Sequence, residues 1–255
     1  MNLKEQLDEL RYRLLRDTSN IIAGYKKDFL YSDDQLLRYI REAEYKFARE
    51  THILQDSVSP LLTQVILKTG VSVYELNCAV FEVVSARYDT CITDLTRTGH
   101  FELYNRSTGE DTFDLYTVSN QTQDTGAPMA FSTDEGSVGK NFGASVNLKV
   151  YPTPSATEDG NKVYLRVCRL PMRSYGIDKM ESSACEFPLD YQLDVLSWAA
   201  FRALEGLDAD KGAPIPAEKH RLNFEAAVAD AKKKLHRQMH APMRIGYGGA
   251  GLSWR

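Results

Sequence analysis

Apolar residues recur at helical spacing at both ends of this 255-residue chain and alternate with polar ones through its middle. Together with the glycine- and proline-marked breaks between the two patterns, this predicts an α+β fold. The order helices, strands, helices has a simple solution. A helical bundle forms from the N- and C-terminal helices, with an antiparallel β-sandwich or barrel-like domain inserted between its halves and an extended C-terminal arm. The expected regions are 1–61 (N-terminal helices), 62–185 (β-rich insert), 186–239 (a C-terminal helical hairpin packing on the N-terminal helices) and 240–255 (the arm).

Leu3, Leu7, Leu10 and Leu14 share one face of a first helix. Ser32 and Gln35 predict a reciprocal capping box for a second helix. Asp33 and Asp34 suit its first turn, where the helix dipole favours negative charge. Leu36, Ile40, Ala43 and Phe47 form its apolar stripe, and Pro60 is expected to end the region. In the middle, Val146, Leu148 and Val150 alternate with Asn147 and Lys149, and Val163, Leu165 and Val167 alternate likewise. A period of two marks half-buried antiparallel strands. Residues 71–76, 80–88, 101–104 and 113–119 are further strand candidates. The polar tract at about 119–144 reads as a long loop, of a length that goes with functional contacts or with disorder. Pro188 fits the first position of a helix that carries Val195, Leu196, Ala199, Ala200, Ala203 and Leu204. After a break at 208–216, Phe224, Ala227, Val228, Ala231 and Leu235 mark a last helix to about Met239. Residues 240–255 contain four glycines and belong to no element.

Composition narrows the function. Lys plus Arg number 31 and Asp plus Glu 35, a net charge of -4 that disfavours sustained nucleic-acid binding by the chain as a whole. No stretch approaches the run of about 20 apolar residues that spans a bilayer, and the charged N-terminus does not read as a signal peptide. Cys78, Cys91, Cys168 and Cys185 are widely spaced and read as buried small side chains rather than a zinc or disulfide framework. Gly136, Gly139 and Lys140 lack phosphate-loop spacing. His236 and His240 stand four apart but do not make a metal site alone, and His52 and His100 are isolated. Asp33/Asp34 and Asp208/Asp210 read as a helix start and a turn. No catalytic, cofactor-binding or metal-binding residue is therefore assigned, and no enzyme activity is expected. The charge distribution is more informative. After Asp230 come Lys232, Lys233, Lys234, Arg237, Arg244 and Arg255, with no acid. Met243, Ile245, Tyr247, Leu252 and Trp254 are interleaved with the last of these, which suits a segment that orders on a partner.

The segment FPLDYQLDVLSWAAFRALEGLDADKGAPIPAEKHRLNFEAAVADAK resembles the C-terminal helical hairpin of head-to-tail adaptor (connector) proteins of tailed bacteriophages, tail tubular protein A-like. The matching residues are Pro188, Leu196, Trp198, Ala199, Arg202, Ala203, Leu204, Asp208, Asp210 and Phe224. YSDDQLLRYIREAEYKFARE is similar to the family's acidic-capped helix through Ala43, Ala48 and Arg49. LKTGVSVYELNCAVFEVVSARYD, YPTP and RLP follow its β-region, with Asn77 where the family carries proline. The resemblance spans about residues 30–235. It implies a structural virion protein with no cofactor: a ring subunit, typically dodecameric, assembled in the host cytoplasm. Such a ring joins the portal protein to the tail or nozzle protein and extends the channel through which genomic DNA passes, with no membrane involved. On that reading Arg244, Ile245, Tyr247, Leu252, Trp254 and Arg255 bind the portal. The alternative is a tail- or baseplate-associated ligand- or carbohydrate-binding β-module, whose aromatic platform would need Tyr88, Tyr104, Tyr116 and Tyr164.

Overall fold

The computed structural model describes residues 1–17, 21–22, 25–26, 29–89, 91–98, 125–134, 146–205 and 214–239. The chain runs through α1 (Leu3–Asp8), a π-helical segment (Glu9–Leu14), β1 (Ile21–Ile22), β2 (Tyr25–Lys26), α2 (Asp33–Thr51), β3 (Gln55–Asp56), α3 (Pro60–Thr63), β4 (Gln64–Ile66) and β5 (Val73–Glu75). It continues through β6 (Val80–Tyr88), β7 (Thr96–Arg97), β8 (Ala130–Asp134), β9 (Asn147–Tyr151), β10 (Lys162–Arg169), α4 (Gln192–Glu205) and α5 (Pro214–Met239). The class is α+β. Its contacts divide into two units: Met1–Ile53 with Arg173–Arg255, and Leu54–Met172. Sequence texture placed the divisions at 61/62 and 185/186. The first division differs because β3, α3 and β4 join the second unit, and the second because residues 173–185 join the first, where Arg173 and Tyr175 hydrogen-bond Glu44.

The first unit is helical. Asn2 and Glu5 form a reciprocal capping box at α1: Asn2 Oδ1 accepts from Glu5 N at 2.8 Å, and Glu5 Oε2 accepts from Asn2 N at 3.0 Å. Leu3, Leu7 and Leu10 are buried. The π-helical winding that follows turns Leu14 partly away from their face. At α2 only half of the expected box forms. Ser32 Oγ accepts from Gln35 N at 3.3 Å, but the Gln35 amide donates to Tyr39 Oη at 3.1 Å, one turn further on. Pro188 precedes a short 3-10 turn, Leu189–Tyr191, so α4 begins at Gln192 instead of at the proline.

Small residues let these helices approach closely. Ala199, Ala200 and Ala203 of α4 and Ala227 and Ala231 of α5 are buried, and α4 packs on both α2 and α5. Phe47 of α2 is fully buried, its ring 5.3 Å from Phe187, 5.6 Å from Tyr191 and 5.9 Å from Phe224. Trp198 stacks near Phe201 and Phe224, lies 3.9 Å from the Lys46 ammonium, and donates to Glu42 Oε1 at 3.2 Å. Arg202 pairs with the same Glu42 carboxylate at 2.9 Å. The tryptophan and arginine of the resembling motif thus tie α4 to α2.

Among its described residues the second unit holds two four-stranded sheets. In the first, β6 pairs antiparallel with one edge of β10, while β3 and β4 pair with the other. The second runs β5-β9-β8-β7. Its β7–β8 pair is parallel, where only antiparallel pairing was expected. Val83, Val163, Leu165 and Val167 from the first sheet share one core with Phe131, Leu148 and Val150 from the second. Two local expectations are corrected. Pro60 does not end a region but starts α3, where its missing N–H costs nothing. The tract at 119–144 is not all loop, because it contains β8, whose Ala130, Phe131 and Ser132 are buried. Asn77 makes its own turn: its Oδ1 accepts from Ala79 N at 2.9 Å and its backbone oxygen from Val80 N at 2.8 Å. The strand candidates at 101–104 and 113–119 lie outside the described residues.

Candidate functional site

The six arm residues, Arg244, Ile245, Tyr247, Leu252, Trp254 and Arg255, lie outside the described residues. The root of the arm is described. Lys232, Lys233, Lys234 and Arg237 are exposed in the last turns of α5. Cations are favoured there by the negative end of the helix dipole. Lys234 is held in place, 3.4 Å from both Asp190 and Asp230 and 4.8 Å from the Tyr191 ring centre. The Tyr191 hydroxyl, then the two carboxylates, hold its pKa above the ordinary lysine value. Tyr191 Oη donates to Asp230 at 3.0 Å, which fixes the end of α5 against the turn that leads into α4.

A buried polar node lies in the same unit. Glu44, on the inner face of α2, accepts from Arg173 Nη2 at 2.5 Å, from Tyr175 Oη at 2.6 Å and from Gln6 Nε2 at 3.4 Å. Arg173 also donates to Gln6 Oε1. Burial pushes the Glu44 pKa up, against the pull of Arg173, Tyr175 and Gln6. Burial, then the Glu44 charge, raises the Cys185 thiol to about 11. The node ties the chain returning from the β-unit to α1 and α2. Its carboxylate is committed to structural hydrogen bonds. Sequence reasoning missed it, although Glu44 stands four residues from Ile40 and three from Phe47, both on the apolar stripe.

An open groove of about 510 Å³ is lined by Lys4, Leu7, Asp8, Arg11, Asp33, Ile177, Asp178, Met180, Glu181 and Ser182. Both of its cations are paired, Lys4 with Glu181 at 2.8 Å and Arg11 with Asp33 at 2.6 Å. Asp33 therefore serves an ion pair as well as a helix start. Cys168 is buried and Cys185 half-buried, but Cys78 and Cys91 are exposed, contrary to the expectation of four buried thiols. Cys78 sits in the turn before β6, and Cys91 precedes a bend at Ile92. The proposed tyrosine platform does not form from its described members. Tyr88 lies opposite Val163 and faces the core, whereas Tyr164 lies opposite Arg87 on the other face of the sheet. Tyr104, Tyr116, Gly136, Gly139, Lys140, His100, His240, Asp208 and Asp210 lie outside the described residues.

Residues 1–246 match the family described as SU10 adaptor protein. No curated protein matches the chain. The match takes in both units, the polar node, the whole of α5 and the arm as far as Ile245 and Gly246. The chain therefore belongs to the SU10 adaptor protein family, and is a structural adaptor protein of a bacteriophage.

Proposed function

We propose that this adaptor joins the portal protein to the tail or nozzle protein as one subunit of a closed ring, a dodecamer in the manner of tail tubular protein A-like connectors. The family match over residues 1–246 carries the reading. The ring extends the channel for genomic DNA, belongs to the virion and assembles in the host cytoplasm. Its contacts are heterologous, because head-to-tail contacts that close give rings. The work is mechanical and needs no catalytic group.

The arm is the portal-binding element of this reading. Ile245, Tyr247, Leu252 and Trp254 supply apolar contact area, with Trp and Tyr favoured as interface residues. Arg244 and Arg255 offer forked pairing to portal carboxylates. The ordered end of α5 gives the arm a fixed root, since Lys234 and Tyr191 hold that helix end in place. Truncation after Met239 tests the idea. The shortened chain should keep the melting temperature of the full chain yet fail to join portal-containing particles. Normal incorporation of the truncated chain would refute the portal-binding role.

A further inference from the structure

Strand β10 presents two different faces. Val163, Leu165 and Val167 point into the core, while Lys162, Tyr164 and Arg166 occupy the opposite face. Strand pairing extends that second face sideways. Tyr164 lies opposite Arg87 of β6 and Gln64 of β4, Arg166 opposite Ser85, and Lys162 opposite Ile66. Arg87 and Arg166 are exposed, and Lys162 is half-buried. None of the three cations is ion-paired among the described residues. The Arg87 guanidinium lies 5.9 Å from the Tyr164 ring centre, Lys162 Nζ donates to Gln64 Oε1 at 3.4 Å, and Arg166 Nη2 donates to Gln55 Oε1 at 2.6 Å. The nearby acids are engaged elsewhere: Asp56 pairs with Arg169 at 3.2 Å, and Glu82 pairs with Arg97 at 3.7 Å. Asp89, just past the end of β6, is the acid at the rim.

We propose that this face of the first sheet contacts the phosphate backbone of duplex DNA. Three cations whose partners among the described residues are amides and an aromatic ring are matched by a polyanion. Lys162 and Arg166 are four residues apart on an extended strand, a span of about 13 Å. Over that length duplex DNA presents about four phosphates on each strand. The arginine forks suit phosphate oxygens, and the Gln64 amide with the Ser85 hydroxyl adds neutral donors. Contacts of this kind carry no base sequence. Three of them on a chain of net charge -4 hold DNA weakly and let it slide. The charges alone identify a polyanion; the choice of DNA rests on the adaptor reading proposed above.

The test uses the full-length chain and a short fluorescein-labelled DNA duplex of arbitrary sequence. Binding is followed by anisotropy between about 50 and 200 mM salt. The triple variant Arg87→Gln, Lys162→Gln, Arg166→Gln should melt like the parent and reduce the log–log salt slope by about 3. A control variant removes as much charge from α5, through Lys232→Gln, Lys233→Gln and Arg237→Gln, and should leave most of that slope. An unchanged slope in the sheet variant, or an equal loss in the α5 variant, overturns the proposal. So does poly-glutamate competing as well as unlabelled DNA at equal charge, which would assign the face to an acidic protein surface. Joining of portal-containing particles is scored separately. If the sheet variant binds DNA normally while the chain joins those particles, this inference falls and the adaptor reading stands. If DNA binding falls as expected but the chain never joins them, the face stands and the adaptor reading falls.

Discussion

Two carboxylates, Asp56 half-buried and Glu44 buried, respond to pH in opposite directions. Asp56 closes the turn after β3: its Oδ1 accepts from Val58 N at 2.9 Å and Ser59 N at 3.0 Å, and its Oδ2 accepts from Ser59 Oγ at 2.8 Å. Burial pushes its pKa up, but these hydrogen bonds and Arg169 outweigh it and hold the group at about 2, below its ordinary 3.8. A depressed carboxylate stabilises the fold fully above its unfolded pKa, and that stability is lost as pH falls through the folded value. The gap corresponds to about 2 kcal/mol. The urea midpoint should therefore drop as pH falls from about 4 toward 2, and Asp56→Asn should flatten that drop. An equally steep drop in the variant would assign the acid sensitivity to other groups. Glu44 behaves inversely. Its pKa is raised, so its contribution is greatest below the unfolded carboxylate value and declines as pH rises through the folded one. Arg173 and Tyr175 limit that loss by hydrogen-bonding the charged form. Truncating one member of such a buried pair is costly because it leaves the other charge uncompensated.

Helices and long strands owe their legibility to periodicity. The stripe Leu36, Ile40, Ala43 and Phe47 is the buried face of α2, and β9 and β10 fall on the two alternating stretches. Strands β3 and β4 have two and three residues, too few to display a period. Strand β8 was hidden by chemistry: Ser132, Thr133 and Asp134 look like loop residues, yet Ser132 is buried. The cationic sheet face was half legible. The alternation of β10 places Lys162, Tyr164 and Arg166 together, but only the register adds Arg87 and Gln64. The arm is an expectation from composition alone, since its glycines leave no periodicity to read and its residues lie outside the described ones. Phe47 is the clearest case of an element defined by tertiary contact. The ring joins α2 to the 3-10 turn through Tyr191 and to α5 through Phe224. Phe47→Ala should cost about 3–5 kcal/mol, measured by urea unfolding, because three facing rings cannot all collapse into the space. A loss below about 1 kcal/mol would mean that the ring cluster closes over the gap.

At the scale of the whole molecule, the path of the chain into and out of the β-unit constrains how it folds. The unit starts at Leu54 and ends at Met172. Its first and last strands are neighbours: Val167 lies opposite Asp56, Cys168 opposite Gln55, and Arg169 N donates to Leu54 O at 3.0 Å. Entry and exit are thus hydrogen-bonded to each other inside the unit. Adjacent ends are the geometry that tolerates insertion and excision. The core also belongs to the unit itself, since Val83, Phe131, Leu148, Val150, Val163 and Leu165 all lie within it. The segment 54–172 expressed alone should therefore fold, with a strand-rich circular dichroism spectrum and a cooperative melt. Replacing the same segment by a short Gly-Ser linker should leave a helical protein. A linker that short adds little closure entropy, because that cost grows only with the logarithm of loop length. A featureless melt from the isolated β-segment, or an unfolded linker protein, would show that neither unit reaches its fold without the other.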